Sequence, residues 1–314
     1  MSTPIIINGL SVYPGQHVEH TLSSYLLPTH TVIDIPVYIF RSDKPGPRVY
    51  FQGGMHGDET NGIEIVRNLI RNQQVINPLC GTVILMPLVN VVSFLNSNRD
   101  LPDGRDLNRC FPGSRTGSLG SRIAWDITHS IIPQIDFGID FHTGGAKINN
   151  FPQLRCSFED KKGMEIAQWF NAPFVLNSPF RDKSLRKEAA KQGKPLLVFE
   201  AGESMRFNKQ AITEGVNGCL RLLNSLGMIK TEVPANHTIL LRDSKWVRTK
   251  SSGLFRTTKK YGSFIEKDSI IGTIADPLGK KEFPLYAPDD GFIIGINNQP
   301  VVNEGDALMH IGVE

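Results

Sequence analysis

Cysteine is sparse in this chain. Cys80, Cys110, Cys156 and Cys219 are the only four in 314 residues, they are far apart, and no two form a CxxC pair. That spacing points to free thiols in a reducing compartment rather than to a disulfide framework. Charge of one sign is also scarce. Lys and Arg total 34 against 31 Asp and Glu, a formal +3, and the two signs are interspersed. So weak and mixed a balance excludes an electrostatic footprint for nucleic acid. No window approaches the roughly 18 consecutive apolar residues of a membrane span. The opening "MSTPIIINGLSVYPG" has no basic n-region and only a short apolar run, unlike a secretory signal. A cytoplasmic location is the expectation. There is no low-complexity tract and no internal repeat.

The composition is that of an ordinary soluble protein, 40% apolar and 21% charged. The length allows one large domain or two smaller ones, with an ample core either way. From about residue 35 to 228, strand-like and helix-like segments alternate. "RVYFQGG", "GTVILMPLVN", "IDFGIDFHTG" and "KPLLVFEAGE" read as buried strands. "TNGIEIVRNLIRNQ" has helical spacing, with Ile63, Val66, Leu69 and Ile70 on one face. "LGSRIAWDITHSII", "DKKGMEIAQWFN", "KSLRKEAAKQG" and "NKQAITEGVNGCLRLLNSLG" are further helices, the last ending at a glycine. This alternation predicts a mixed, mostly parallel sheet with helices on both faces. Beyond Gly227 helical periodicity disappears. Short apolar runs are separated by "KYGSF", "DPLGK", "APDDG" and "NEGDA", which predicts a small all-β domain. The expected division is 1–230 and 231–314.

In open α/β sheets, sites form beyond the carboxyl ends of the strands. Three predicted strands end in residues of ligand or acid–base type. His56 and Glu59 follow "RVYFQGG", His142 ends "IDFGIDF" and Glu200 ends "PLLVF". His56, Glu59 and His142 together match the open His₂Glu zinc site, whose fourth position is left for water. Gly53 and Gly54 allow a tight turn that brings His56 over the sheet edge. Asp58 has two readings, a hydrogen bond that orients His56 or a cap on the following helix. Glu200 is the better acid–base group, because the strand end fixes it. Glu203 follows a glycine and is expected to point elsewhere. His17, His20, His30, His129, His237 and His310 lack such context and read as surface or hydrogen-bonded histidines.

The loop "NSNRDLPDGRDLNRCFPG" is long and polar for a compact domain. Its arginines suit carboxylate binding and oxyanion stabilisation, with Arg105 read as a surface charge. "GGMHGDE", "NRDLPDGRDLNRCFPG", "IDFHTG" and "FEAGE", in that order, resemble the zinc carboxypeptidase clan, and more closely its succinylglutamate desuccinylase/aspartoacylase family. The resemblance covers about residues 35–228. It implies one Zn²⁺ on His56, Glu59 and His142, with Glu200 as general acid–base. It further implies Arg99 polarising the scissile carbonyl and Asn108 with Arg109 holding a substrate carboxylate. Arg186 would add a second carboxylate contact, and it reads equally well as a helix-surface arginine.

The family also carries a small β domain after the catalytic one. Here the tail resembles the barrel-sandwich layout of biotinyl/lipoyl domains but lacks their modified-lysine signature. Lys280 and Lys281 read as surface lysines, and no swinging arm is expected. Related enzymes place a tyrosine near substrate, and no motif assigns one here, although Tyr261 and Tyr286 are available. The expected activity is zinc-dependent removal of an acyl group from a small N-acyl amino acid-like substrate, with no nucleic acid or membrane partner. Two alternatives stay open: a metallocarboxypeptidase acting on short peptides, and a non-catalytic zinc- or ligand-binding module.

Overall fold

The computed structural model describes residues 3–145 and 147–314. The chain opens with strands. β1 (Ile5–Ile7) and β2 (Leu10–Val12) form a small antiparallel pair, and β3 (His17–Leu26) pairs antiparallel with β4 (Val32–Arg41). The alternating part then runs β5 (Arg48–Gln52), α1 (Thr60–Ile70), α2 (Gln73–Ile76), β6 (Thr82–Met86), α3 (Val91–Leu95), α4 (Leu119–Asp126) and β7 (Phe137–Gly144). It continues through β8 (Ile148–Cys156), α5 (Lys161–Phe170), β9 (Phe174–Asn177), α6 (Leu185–Lys191), β10 (Leu196–Glu203) and α7 (Lys209–Ser225).

The central strands are buried on both faces, which is why they read as continuous apolar runs. Along β5, Val49 and Phe51 enter one core and Tyr50 the other. The first core is filled by Ile65, Val66 and Leu69 of α1, Phe170 of α5 and Leu222 of α7. The second takes Ile123 and Ala124 of α4 with Leu185 and Ala189 of α6. Helices therefore cover both faces. On α1 the buried stripe centres on Ile65, Val66 and Leu69, with Ile63 and Ile70 only half-buried at its edges. α7 stops at Gly227, whose φ of 68° lies in the left-handed region that glycine tolerates.

The expectation of a mostly parallel sheet needs correction. β6, β5, β7 and β10 run parallel to one another in the centre. Both flanks are antiparallel: β4 and β3 on one side, β8 on the other. Helical crossovers supply the parallel neighbours, whereas β7 and β8 are separated by three residues, too short for a crossover.

The tail consists of β11 (Ile239–Leu241), β12 (Asp243–Arg248), β13 (Gly253–Arg256), β14 (Phe264–Ile265), β15 (Ile270–Ala275), β16 (Glu282–Tyr286), β17 (Gly291–Asn297), β18 (Val301–Val302) and β19 (Ala307–Val313). It has its own core, with Phe255, Ile271, Ile293 and Leu308 among its members. It does not stand apart from the central sheet. β17 pairs antiparallel with β8, β11 pairs parallel with β9, and the order runs β12-β19-β17-β8-β10-β7-β5-β6-β4-β3. β16, β15, β13 and β18 form a separate four-stranded sheet.

Candidate active site

β5 ends at the glycine turn. Gly54 has φ 66°. A Cβ on Gly53 would lie 2.5 Å from the carbonyl of Gly62, so the first turn of α1 packs directly on the turn backbone. His56 and Glu59 emerge between the two elements, both about 1% exposed. His142 lies on β7 in register with Glu200 of the adjacent β10. Parallel pairing thus delivers the predicted residues to one edge.

Glu59 is the hub. Its Oε1 lies 2.8 Å from His56 Nδ1, and its Oε2 lies 2.9 Å from His142 Nδ1. The Thr143 backbone N–H donates to Oε2 at 3.1 Å, and Arg99 Nη1 donates to Oε1 at 3.0 Å. The far nitrogen of each imidazole meets a second carboxylate: His56 Nε2 lies 3.0 Å from Asp106 Oδ1, and His142 Nε2 lies 2.8 Å from Asp140 Oδ2. Asp140 is itself held by Gln52 Nε2 at 2.9 Å. One donor atom from each of His56, Glu59 and His142 lies within 4.8 Å of the other two. With a carboxylate at both nitrogens, each ring either carries two protons or gives one up to a cation at Nδ1. That donor chemistry fits a divalent metal, with Asp106 and Asp140 fixing the ring orientations from behind.

The electrostatics agree. Burial pulls His56 down, but Glu59 and Asp106 outweigh it and hold its pKa above the ordinary value. His142 is raised further, burial being overcome by Asp140 and Glu59. For Glu59, burial is overcome by the two imidazoles, and its carboxyl is held well below the usual range. Asp58 fills neither of its expected roles. Its Oδ1 is buried without a partner among the described residues, and no side chain caps α1. The partner of His56 is Asp106, returned to the site by the polar loop.

Glu200 is engaged at both oxygens. Asn150 Nδ2 donates to Oε2 at 3.1 Å, and Arg155 Nη1 lies 3.3 Å from Oε1. Glu203 turns away and accepts from Asn298 Nδ2 at 2.7 Å. A cavity of about 270 Å³ lies over the site, lined by His56, Glu59, Arg99, Asn108, Arg109, His142, Arg186 and Glu200, together with Asn150, Arg155, Arg181, Val198 and Trp246. All eight residues singled out in the sequence therefore border one cavity. Arg99 also donates from Nη2 to Asp106 Oδ2 at 3.0 Å. Asn108 Oδ1 accepts from the Leu185 N–H at 3.0 Å, and Arg109 Nη1 donates to the Asn108 carbonyl at 2.6 Å. Arg105 donates to Ser118 Oγ at 3.3 Å, outside the cavity.

Arg186 is not a helix-surface residue, since it is only 8% exposed. Its Nη2 donates to the carbonyls of Ser178, at 2.9 Å, and Pro179. Burial and the neighbouring Arg155 bring its pKa down to about 10. Arg181 lines the same wall with no hydrogen bond or ion pair from its guanidinium among the described residues. Tyr261 and Tyr286 do not border the cavity. Tyr261 Oη donates to Gln210 Oε1 at 3.2 Å, and Tyr286 is exposed on β16. The tail instead supplies Trp246.

Sequence reasoning did not single out Asp106, Asp140, Asn150, Arg155 or Trp246. Asp140 had a usable signal: it lies two residues before His142 on the same strand and so on the same face. The others depend on loop return or strand pairing.

Residues 45–226 match the succinylglutamate desuccinylase/aspartoacylase catalytic domain. The chain belongs to that family. It is 27% identical over 289 residues to the N-alpha-acetyl-L-2,4-diaminobutyric acid deacetylase of Halomonas elongata, covering 87% of this chain and 84% of the relative. The fold is shared with a succinylglutamate desuccinylase/aspartoacylase from Rhodobacter sphaeroides, at TM-score 0.84 and 24% identity over 95% of both chains. It is likewise shared with the product-bound ectoine utilization protein EutE (DoeB) of Ruegeria pomeroyi, at TM-score 0.84 and 22% identity over 100% of both chains. Among the described residues, no helix is long and apolar enough to cross a membrane.

Proposed function

We propose that this protein is a zinc-dependent amidohydrolase. It removes an acyl group, such as acetyl or succinyl, from the nitrogen of an amino acid or related small carboxylate metabolite. One observation carries the reading: His56, Glu59 and His142 converge, with Glu200 in register beside His142. Zinc bound by those three would polarise the amide carbonyl and lower the pKa of a water to about 7. Glu200 takes the proton of the attacking water and returns it to the departing nitrogen. Asn150 and Arg155 aim its carboxylate. Arg99 keeps a second N–H on each Nη beyond its bonds to Glu59 and Asp106, and in this reading those N–H groups donate to the carbonyl oxygen. Asn108 and Arg109 hold the substrate carboxylate, and Arg186 supports the wall beside them.

The cavity of about 270 Å³ falls below the roughly 300–1,000 Å³ of pockets for drug-sized ligands, which favours a small metabolite over a peptide. The deacetylase activity named for the Halomonas elongata relative supports the same reading. The paired general base distinguishes it from a binding module, which has no use for one. The test combines metal analysis with a mass-spectrometric screen of zinc-loaded protein against N-acyl amino acids and short peptides. Free amine should appear from the former. Release from peptides alone would identify a carboxypeptidase, and no release at all would refute hydrolysis.

A further inference from the structure

The cavity is lined largely by polar residues, with Ile148, Val198 and Trp246 as its apolar side chains among the described residues. Trp246 is the one that comes from the tail. It is 40% exposed although its ring is fixed from behind. The indole stacks on His310 with centroids 4.3 Å apart and planes 6° from parallel. His310 is anchored by an Nε2–Ser244 Oγ contact of 2.8 Å. Burial and Arg155 push its pKa down to about 3, so a neutral ring supports the indole.

The register gives the distance scale. Trp246 pairs with His310, His310 with Gly295, Gly295 with Asn150, and Asn150 with Gly202, two residues beyond Glu200. Four strand spacings, roughly 19 Å along the sheet, therefore separate the strand of Glu200 from the strand of Trp246. That path follows the backbone, and the side chains of both strands border the one cavity between them. An acetyl group adds a single carbon beyond the scissile carbonyl, so on the deacylase reading any length that reaches the indole comes from the amine half.

We infer that Trp246 is the end wall of the substrate cavity and sets the length of side chain accepted on the amine half. The inference rests on the deacylase reading above and adds a specificity-determining residue to it. An aromatic plane at the end of a small cavity discriminates by length, because each methylene that meets it presses the indole against the His310 ring behind it.

The test compares wild type, W246A and W246F, all zinc-loaded. The substrates are N-acetyl amino acids whose side chains lengthen one methylene at a time, in a neutral series and an ω-carboxylate series. Wild type should show an optimum length in kcat/KM. W246A should move that optimum to longer side chains and raise the long-to-short ratio by about ten-fold or more. The change should appear in KM, with kcat on the shortest substrate preserved. W246F keeps a ring on His310 and should shift the ratio in the same direction by less; its ratio decides the matter if W246A is insoluble. A wild type that hydrolyses some members, with variants of unchanged length preference, overturns the end-wall assignment alone. A loss of kcat at every length also overturns it, since that marks a structural role. A wild type that hydrolyses no member brings down the deacylase reading and this inference together.

Discussion

Asn150 donates to Glu200 at 3.1 Å while lying over a residue that has no side chain. A Cβ at Gly295 would stand 2.8 Å from Asn150 Oδ1 and 3.3 Å from His310 Cβ. Gly295 has no positive φ, so alanine is compatible with its backbone. Gly295→Ala should therefore push the amide off Glu200 without unfolding the chain. A hydrogen bond to a charged group contributes about 1.5–3 kcal/mol, so both Gly295→Ala and Asn150→Ala should lower kcat about ten-fold or more. Steady-state kinetics with a thermal melt as control checks this. Unchanged kcat in both variants would mean that the contact is incidental.

Glu200→Ala should keep its metal and lose turnover. A positioned acid–base group contributes about 10²–10⁴-fold, and among the described residues the Glu200 side chain makes no hydrogen bond or ion pair with His56, Glu59 or His142. Metal content by elemental analysis should match wild type while kcat falls by at least two orders of magnitude. Near-full activity in this variant rules out the assignment.

Arg109→Ala should raise KM about ten-fold for substrates bearing a free carboxylate and leave kcat little changed. That pattern belongs to a group that binds ground state and transition state alike. The informative comparison is with the corresponding amides, which should lose their disadvantage in the variant. An unaltered KM removes Arg109 from the binding site.

Asp106→Asn and Asp140→Asn should each weaken metal affinity about 10–100-fold, the usual effect of removing an outer partner of a ligating histidine. Competition against a chromophoric chelator measures it. An affinity equal to wild type in both would show that the imidazoles are oriented by other means.

Metal-free protein should respond to pH with a definite sign. His56 and His142 have raised pKa values when folded. Their contribution to stability is intact below an unfolded value of about 6.5 and drains away as pH climbs through the raised folded values. The depressed Glu59 acts at the other end: its contribution is present above about pH 4.3 and is lost as pH falls through its lowered folded value. The apo melting temperature should thus decline above about pH 6.5. Zinc should restore it, and uptake should release protons measurable by titration in two buffers. A flat apo profile from neutral to alkaline pH contradicts this picture.

The centre of the site was legible because the strands that carry it are apolar on both faces and stop abruptly at polar residues. Phe51 and Phe141 are fully buried, and His56 and His142 follow them within a few positions. Asp106 was not legible, because its approach to His56 across 50 residues depends on how a loop returns. The readings of Asp58 failed for a related reason. Nearness in sequence suggested a bond that the backbone turn does not make. The antiparallel flanks escaped notice since β8 follows β7 so closely that no crossover signal marks it. Trp246 was hidden because a tail strand reaches the cavity only through pairings between β12, β19, β17 and β8.

That chain of pairings has a consequence for how such a protein can be divided. The stretch of β8 that carries Asn150 is hydrogen-bonded on its outer side by Gly295 and Ile296 of β17. Phe174 and Leu176 on β9 are covered by Leu241 and Ile294. A chain ending near residue 230 would retain His56, Glu59 and His142 yet leave an open seam of amides and phenyl rings beside Glu200. The two halves are thus not interchangeable parts, and a graft of this tail onto another hydrolase would have to carry β8 with it.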